Sequence, residues 1–100
     1  MPSVNVEFHR LADKDYDEAL KHYSERSPDT AQRFKEAVDA AVHRISQAPD
    51  SLPPMSGPYR WVRVQRFRYI LVFRPRGPNE IVVVAVAHTS RRPGYWRRRT

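Results

Sequence analysis

The sequence predicts an α+β fold of order β-α-α-β-β-β, with a helical hairpin packed on one face of a small, mainly antiparallel sheet. Three observations predict it. The hydrophobic period changes from two to about 3.6 after Phe8. A Ser-Pro-Asp sequence interrupts the helical stretch at residues 27–29. Three extended apolar runs then follow a proline-rich loop. One hundred residues leave room for one core, so residues 1–100 are expected to form a single domain.

In the opening VNVEF, Val4, Val6 and Phe8 alternate with Asn5 and Glu7, the pattern of a half-buried strand. From about Leu11, the residues Ala12, Tyr16, Ala19 or Leu20, and Tyr23 recur at spacings of three and four, which is the inner stripe of a helix. Asp13, Lys14, Asp15 and Lys21 fall off that stripe and are expected to face solvent. This helix should stop before Pro28, because a proline pushes the preceding residue out of the helical region. Ser27 is then the N-cap of a second helix, with Pro28 at its first position and Asp29 favourable to its dipole. Its stripe is Ala31, Phe34, Val38, Ala41, Val42 and Ile45, ending at Ala48-Pro49. So short a link makes the two helices an antiparallel hairpin.

The stretch PDSLPPMSGP holds four of the nine prolines and reads as a loop outside any regular element. YRWVRVQRF, RYILVFRP and EIVVVAVAH follow as strands, the last two joined by a tight RGPN turn. Tyr69, Leu71 and Phe73 share one face of their strand, while Arg68 and Arg74 flank Ile70 and Val72 on the other. The third run is apolar on both faces and is expected to be a central strand. Strict alternation along it places His88 on the face of Val82, Val84 and Val86.

Composition narrows the function classes. No stretch approaches the roughly 20 apolar residues of a membrane span, and the N-terminus lacks a signal-peptide layout, so a cytoplasmic protein without membrane partners is expected. Without cysteine there are no disulfides and no thiolate metal sites. His9, His22, His43 and His88 lack metal-binding spacing, so neither metal nor cofactor is implied. Residues 1–59 hold seven basic against ten acidic side chains (−3), and residues 60–100 hold eleven arginines against Glu80 alone (+10), which together give the net +7. Such segregation points to an anionic partner, and arginine's planar fork binds phosphate bidentately and stacks on bases.

The close of the chain, AHTSRRPGYWRRRT, gathers an imidazole, guanidiniums and a phenol at the end of a central strand. His88 and Tyr95 could move protons and arginine could stabilise a phosphorane, which is what metal-free RNA cleavage requires. Tyr95 and Trp96 could equally cap the open end of the core, and Arg97, Arg98 and Arg99 could be a solvated terminus.

The phrase AVAHTSRRPGYWRRR resembles the closing motif of the RelE/ParE family, the toxins of bacterial type II toxin–antitoxin modules. LADKDYDEALKHYSERSPDTAQRFKEAVDAAVHRISQAP resembles that family's helical hairpin, and RVQRFRYILVF its middle strands. The resemblance implies a growth-arresting toxin neutralised by a cognate acidic antitoxin, with operator DNA bound indirectly through the antitoxin. Members split by mechanism: RelE-like toxins cut ribosome-bound mRNA, and ParE-like toxins poison DNA gyrase without being nucleases. By position, His88, Arg91 and Tyr95 match functional places of the nucleases, with Arg68 a further candidate. Arg60, Arg63, Arg66, Trp96, Arg97, Arg98 and Arg99 are candidates for nucleic-acid or target binding. The lysines that some nucleases use on the middle strands are missing, and an arginine, always protonated, cannot replace a titrating acid. That departure favours gyrase inhibition over RNA cleavage. A non-toxic module binding nucleic acid or antitoxin is the third reading.

Overall fold

The computed structural model describes residues 4–99. Strand β1 (Asn5–Phe8) leads into helix α1 (Arg10–Ser24) and helix α2 (Pro28–Gln47), followed by β2 (Arg60–Val64), β3 (Tyr69–Gly77) and β4 (Glu80–His88). The sheet order is β1-β4-β3-β2, with β1 parallel to β4 and the other pairs antiparallel. The apolar run of β4 is thus a central strand.

The helix ends follow local chemistry. His9 Nδ1 accepts from Leu11 N at 3.1 Å to open α1, and Ser27 Oγ accepts from Thr30 N at 3.3 Å to open α2. The helices bury Ala12, Ala19, Phe34, Val38, Ala41 and Ile45 against Val62, Val64, Leu71, Phe73, Ile81, Val83 and Val86. The proline-rich loop departs from expectation. Pro49–Ser51 forms a 3-10 turn, and Pro54 bridges Arg60 at the edge of β2. Proline lacks the N–H but keeps its carbonyl, and Pro53 O accepts from Trp61 N at 3.1 Å.

A β-bulge decides the geometry at the end of β4. Val72 pairs with Ala85 but Phe73 with Val83, which leaves Val84 as the extra residue. Val82, Val84, Ala85 and Ala87 therefore pack on the sheet face away from the helices, whereas Ile81, Val83 and Val86 lie beneath them. His88, paired with Tyr69, belongs to the helix side with Val86. This corrects the expectation that it shares a face with Val82 and Val84. The second face is not open either. Trp96, in the 3-10 turn Tyr95–Arg98, is buried against Val72, Val82, Val84, Ala85 and Ala87, with Met55 and Tyr59 at the margin.

Candidate functional site

Beyond Phe8, β1 no longer accompanies β4: His9 N donates to Val83 O at 2.9 Å and the chain turns into α1. The edge of β4 from Val84 onward needs other partners for its backbone groups. Asp15 and Arg99 supply them. Asp15 Oδ2 accepts from Val86 N at 3.1 Å, and Arg99 donates to Val84 O at 3.0 Å and to Asp15 Oδ2 at 2.6 Å. The two side chains are 10% and 12% exposed. Asp15 therefore does not face solvent and Arg99 is not a frayed end. Together they join the first helix to the tail and fill the gap where the parallel partner strand stops.

Above this ion pair lies an open cleft of about 440 Å³ between α1 and the end of β4. Asp15, Glu18 and His22 line it from the helix, Tyr69 and Val86 from the sheet, and His88, Ser90, Arg91 and Tyr95 from strand end and tail. His88, Arg91 and Tyr95, singled out from sequence, are thus brought together. Gly94 makes the return possible. Its φ of +91° is left-handed, and a Cβ there would stand 3.0 Å from Arg97 Nε. The Arg91 guanidinium lies 3.6 Å from the centre of the Tyr95 ring, and that of Arg99 lies 5.0 Å from it. Burial pushes the Tyr95 phenol above its ordinary value; the Asp15 charge adds to the rise, and Arg91 and Arg99 oppose it. Burial likewise raises the Tyr69 phenol.

His88 is fastened in place. Its Nδ1 accepts from Ser90 N at 3.1 Å, with Ser90 Oγ 2.7 Å away, and its ring meets Tyr69 edge-on. Since a backbone N–H can only donate, the neutral imidazole carries its proton on Nε2. In that tautomer Nε2 is a hydrogen-bond donor.

The remaining candidates lie elsewhere. Arg60 reaches back to Leu52 O at 2.7 Å and fastens the loop. Arg63 is exposed on β2, and Arg66 is exposed in the β2–β3 turn with a φ of +71°. Arg68 is exposed, and its carbonyl accepts from Thr89 N. Arg97 and Arg98 are exposed, with Arg97 hydrogen-bonded to Ser56 Oγ. Trp96 is core rather than surface. The helix wall of Asp15, Glu18 and His22 was not anticipated as part of the site. Charged residues on the polar side of a helix carry no mark of which of them a distant tail will cover.

Residues 6–93 match the family described as ParE toxin of type II toxin–antitoxin system, parDE. Toxin ParE2 of Mycobacterium tuberculosis, in strains CDC 1551 / Oshkosh and ATCC 25618 / H37Rv, is 33% identical over 86 residues, covering 85% of this chain and 81% of that one. In the solved structure of the chromosomal ParDE TA system from P. aeruginosa, a chain of the same fold superposes with a TM-score of 0.75 at 21% identity, over 88% of this chain and 98% of that one.

Proposed function

Because the chain belongs to the ParE toxins of type II toxin–antitoxin systems, we propose that it arrests growth in the cytoplasm by binding and inhibiting DNA gyrase, and is held inactive by an acidic antitoxin encoded beside it. In this reading the chain is a binding inhibitor with no reaction of its own. The observation that carries it is the state of His88. Its Nδ1 is turned to Ser90 N and Oγ two residues on, so the cleft's imidazole is engaged by its own strand end. The phenols of Tyr69 and Tyr95, raised by burial, stay protonated at neutral pH. Two further features agree. Glu18 lines the cleft on the helix side and Arg91 on the tail side, and a cleft with an acidic and a basic wall suits a protein segment carrying both charges.

RNA cleavage is the second reading, favoured by the meeting of His88, Arg91 and Tyr95 in one cleft. Two assays on the purified chain separate them. Supercoiling by gyrase should fail while a reporter mRNA in a translation extract remains whole. Cut mRNA together with unimpaired supercoiling would overturn the proposal.

A further inference from the structure

The charges that line the cleft between α1 and the end of β4 are not equally engaged. Asp15 is taken up by Arg99 and by the β4 edge, and Arg91 lies on the Tyr95 ring. Glu18 is exposed on α1, and among the described residues no ion pair holds it. It stands one helical turn from Asp15 on one side and from His22 on the other, so all three project from one face of the helix. Ala19, buried beside them, adds no bulk to that wall. Across from it the half-buried ring of Tyr69 meets His88 edge-on.

The two tyrosines show the sign of the field on each side. At Tyr69 burial is the first cause of the raised phenol; Tyr23, Asp15 and Glu18 add to it, and no basic group opposes them. At Tyr95 burial and Asp15 raise the phenol, but Arg91 and Arg99 pull it back. The wall of Glu18 and Tyr69 is therefore negative, in a chain whose net charge is +7. A phenol that keeps its proton offers a neutral acceptor oxygen. A carboxylate without a partner, a phenol oxygen and a half-buried ring together suit a guanidinium or an ammonium group. They do not suit a phosphate, whose charge Glu18 repels.

We propose that this wall is a socket for one arginine or lysine side chain presented by the toxin's protein target, with Glu18 as the residue that selects it. The stem of that side chain lies along Tyr69 and its charged head meets the Glu18 carboxylate. Arg91 on the opposite wall is left to pair with a carboxylate of the same target segment. The occupant is the target rather than the antitoxin, because an acidic antitoxin matches the basic half of the chain and not its negative wall. The proposal rests on the reading of this chain as a binding inhibitor, and it names the chemistry of what is bound.

The test uses the full chain and agmatine, an arginine side chain without its carboxylate, followed through the ring resonances of Tyr69 and His88. Agmatine should shift both rings saturably, and inorganic phosphate at equal concentration should not displace it. Glu18→Gln should weaken agmatine binding about fivefold, the upper range for an exposed ion pair, and Glu18→Lys should abolish it. The melting temperature should hold in both variants, since Glu18 is exposed. Glu18→Lys should also lose gyrase inhibition while still binding the antitoxin co-produced from the adjacent frame. Agmatine shifts that persist unweakened in Glu18→Lys would overturn the proposal, as would displacement of agmatine by phosphate. Loss of antitoxin binding with gyrase inhibition kept would overturn it too, by making the antitoxin the occupant. If the unsubstituted chain leaves supercoiling intact, the choice of gyrase fails, and the agmatine titration still decides the socket.

Discussion

Asp15 and Arg99 show what a single charged residue does when covered. Each is about nine-tenths buried, and removing either strands the other without compensation, which typically costs about 3–5 kcal/mol. Arg99→Ala should therefore lower the urea midpoint by that amount of stability. The double replacement Asp15→Leu with Arg99→Leu should recover only part of it: no lone charge is left behind, but Val86 N and Val84 O lose their partners. Arg91 is the contrast. It is exposed and stacks on Tyr95, a contact of about 0.5–1 kcal/mol at such a site. Arg91→Ala should thus melt within a few degrees of the unsubstituted chain while growth arrest weakens several-fold. A variant that arrests growth undiminished would remove Arg91 from the target contact.

Elements were legible where their causes are local. Ser27 caps α2 and Pro28 begins it because both act within one turn, and the stripe through Phe34, Val38 and Ile45 follows from helical period alone. Phe34 is fully buried, with ring centres of Tyr23, Phe67 and Tyr69 at 5.0, 5.1 and 5.5 Å. Phe34→Ala should cost about 3–5 kcal/mol in chemical unfolding, and a loss below about 1 kcal/mol would contradict this packing. The bulge at Val84 was not legible. EIVVVAVAH is apolar on both faces, so its pattern gives no sign of where an extra residue breaks the alternation. Reading straight through it put His88 on the wrong side. The spacing from His88 to Tyr95 correctly suggested that His88, Arg91 and Tyr95 would meet. The partner of Asp15 lies 84 residues away, and the coverage of the sheet by Trp96 depends on how the tail returns. Neither relation leaves a periodic trace.

For the molecule as a whole, charge and buried phenols set the response to solution conditions. The +10 of residues 60–100 should make association with an acidic antitoxin slow as salt rises, since steering acts over a Debye length of about 10 Å at 0.1 M; stopped-flow mixing measures it. The phenols act at high pH. Tyr16, Tyr23, Tyr69 and Tyr95 are all raised above the ordinary 10.0, with burial the leading cause for each. A phenol with a raised folded-state pKa keeps its proton at pH values where the unfolded chain has released it. The unfolded state then binds fewer protons, so stability falls with rising pH through that window. The contribution is fully present below pH 10.0 and is lost progressively above it. Tyr16 stacks on Phe34, Tyr23 packs against it at a tilt, and Tyr69 links that cluster to His88, so ionisation should loosen the helix–sheet interface together with the cleft. Urea midpoints should hold from about pH 8 to about pH 9.5 and then drop towards about pH 11, in step with phenolate absorbance. Tyr69→Phe removes one of the four groups without removing the ring and should make that drop shallower. An unchanged midpoint across the window would mean that these phenols are as free to ionise in the folded chain as in the unfolded one.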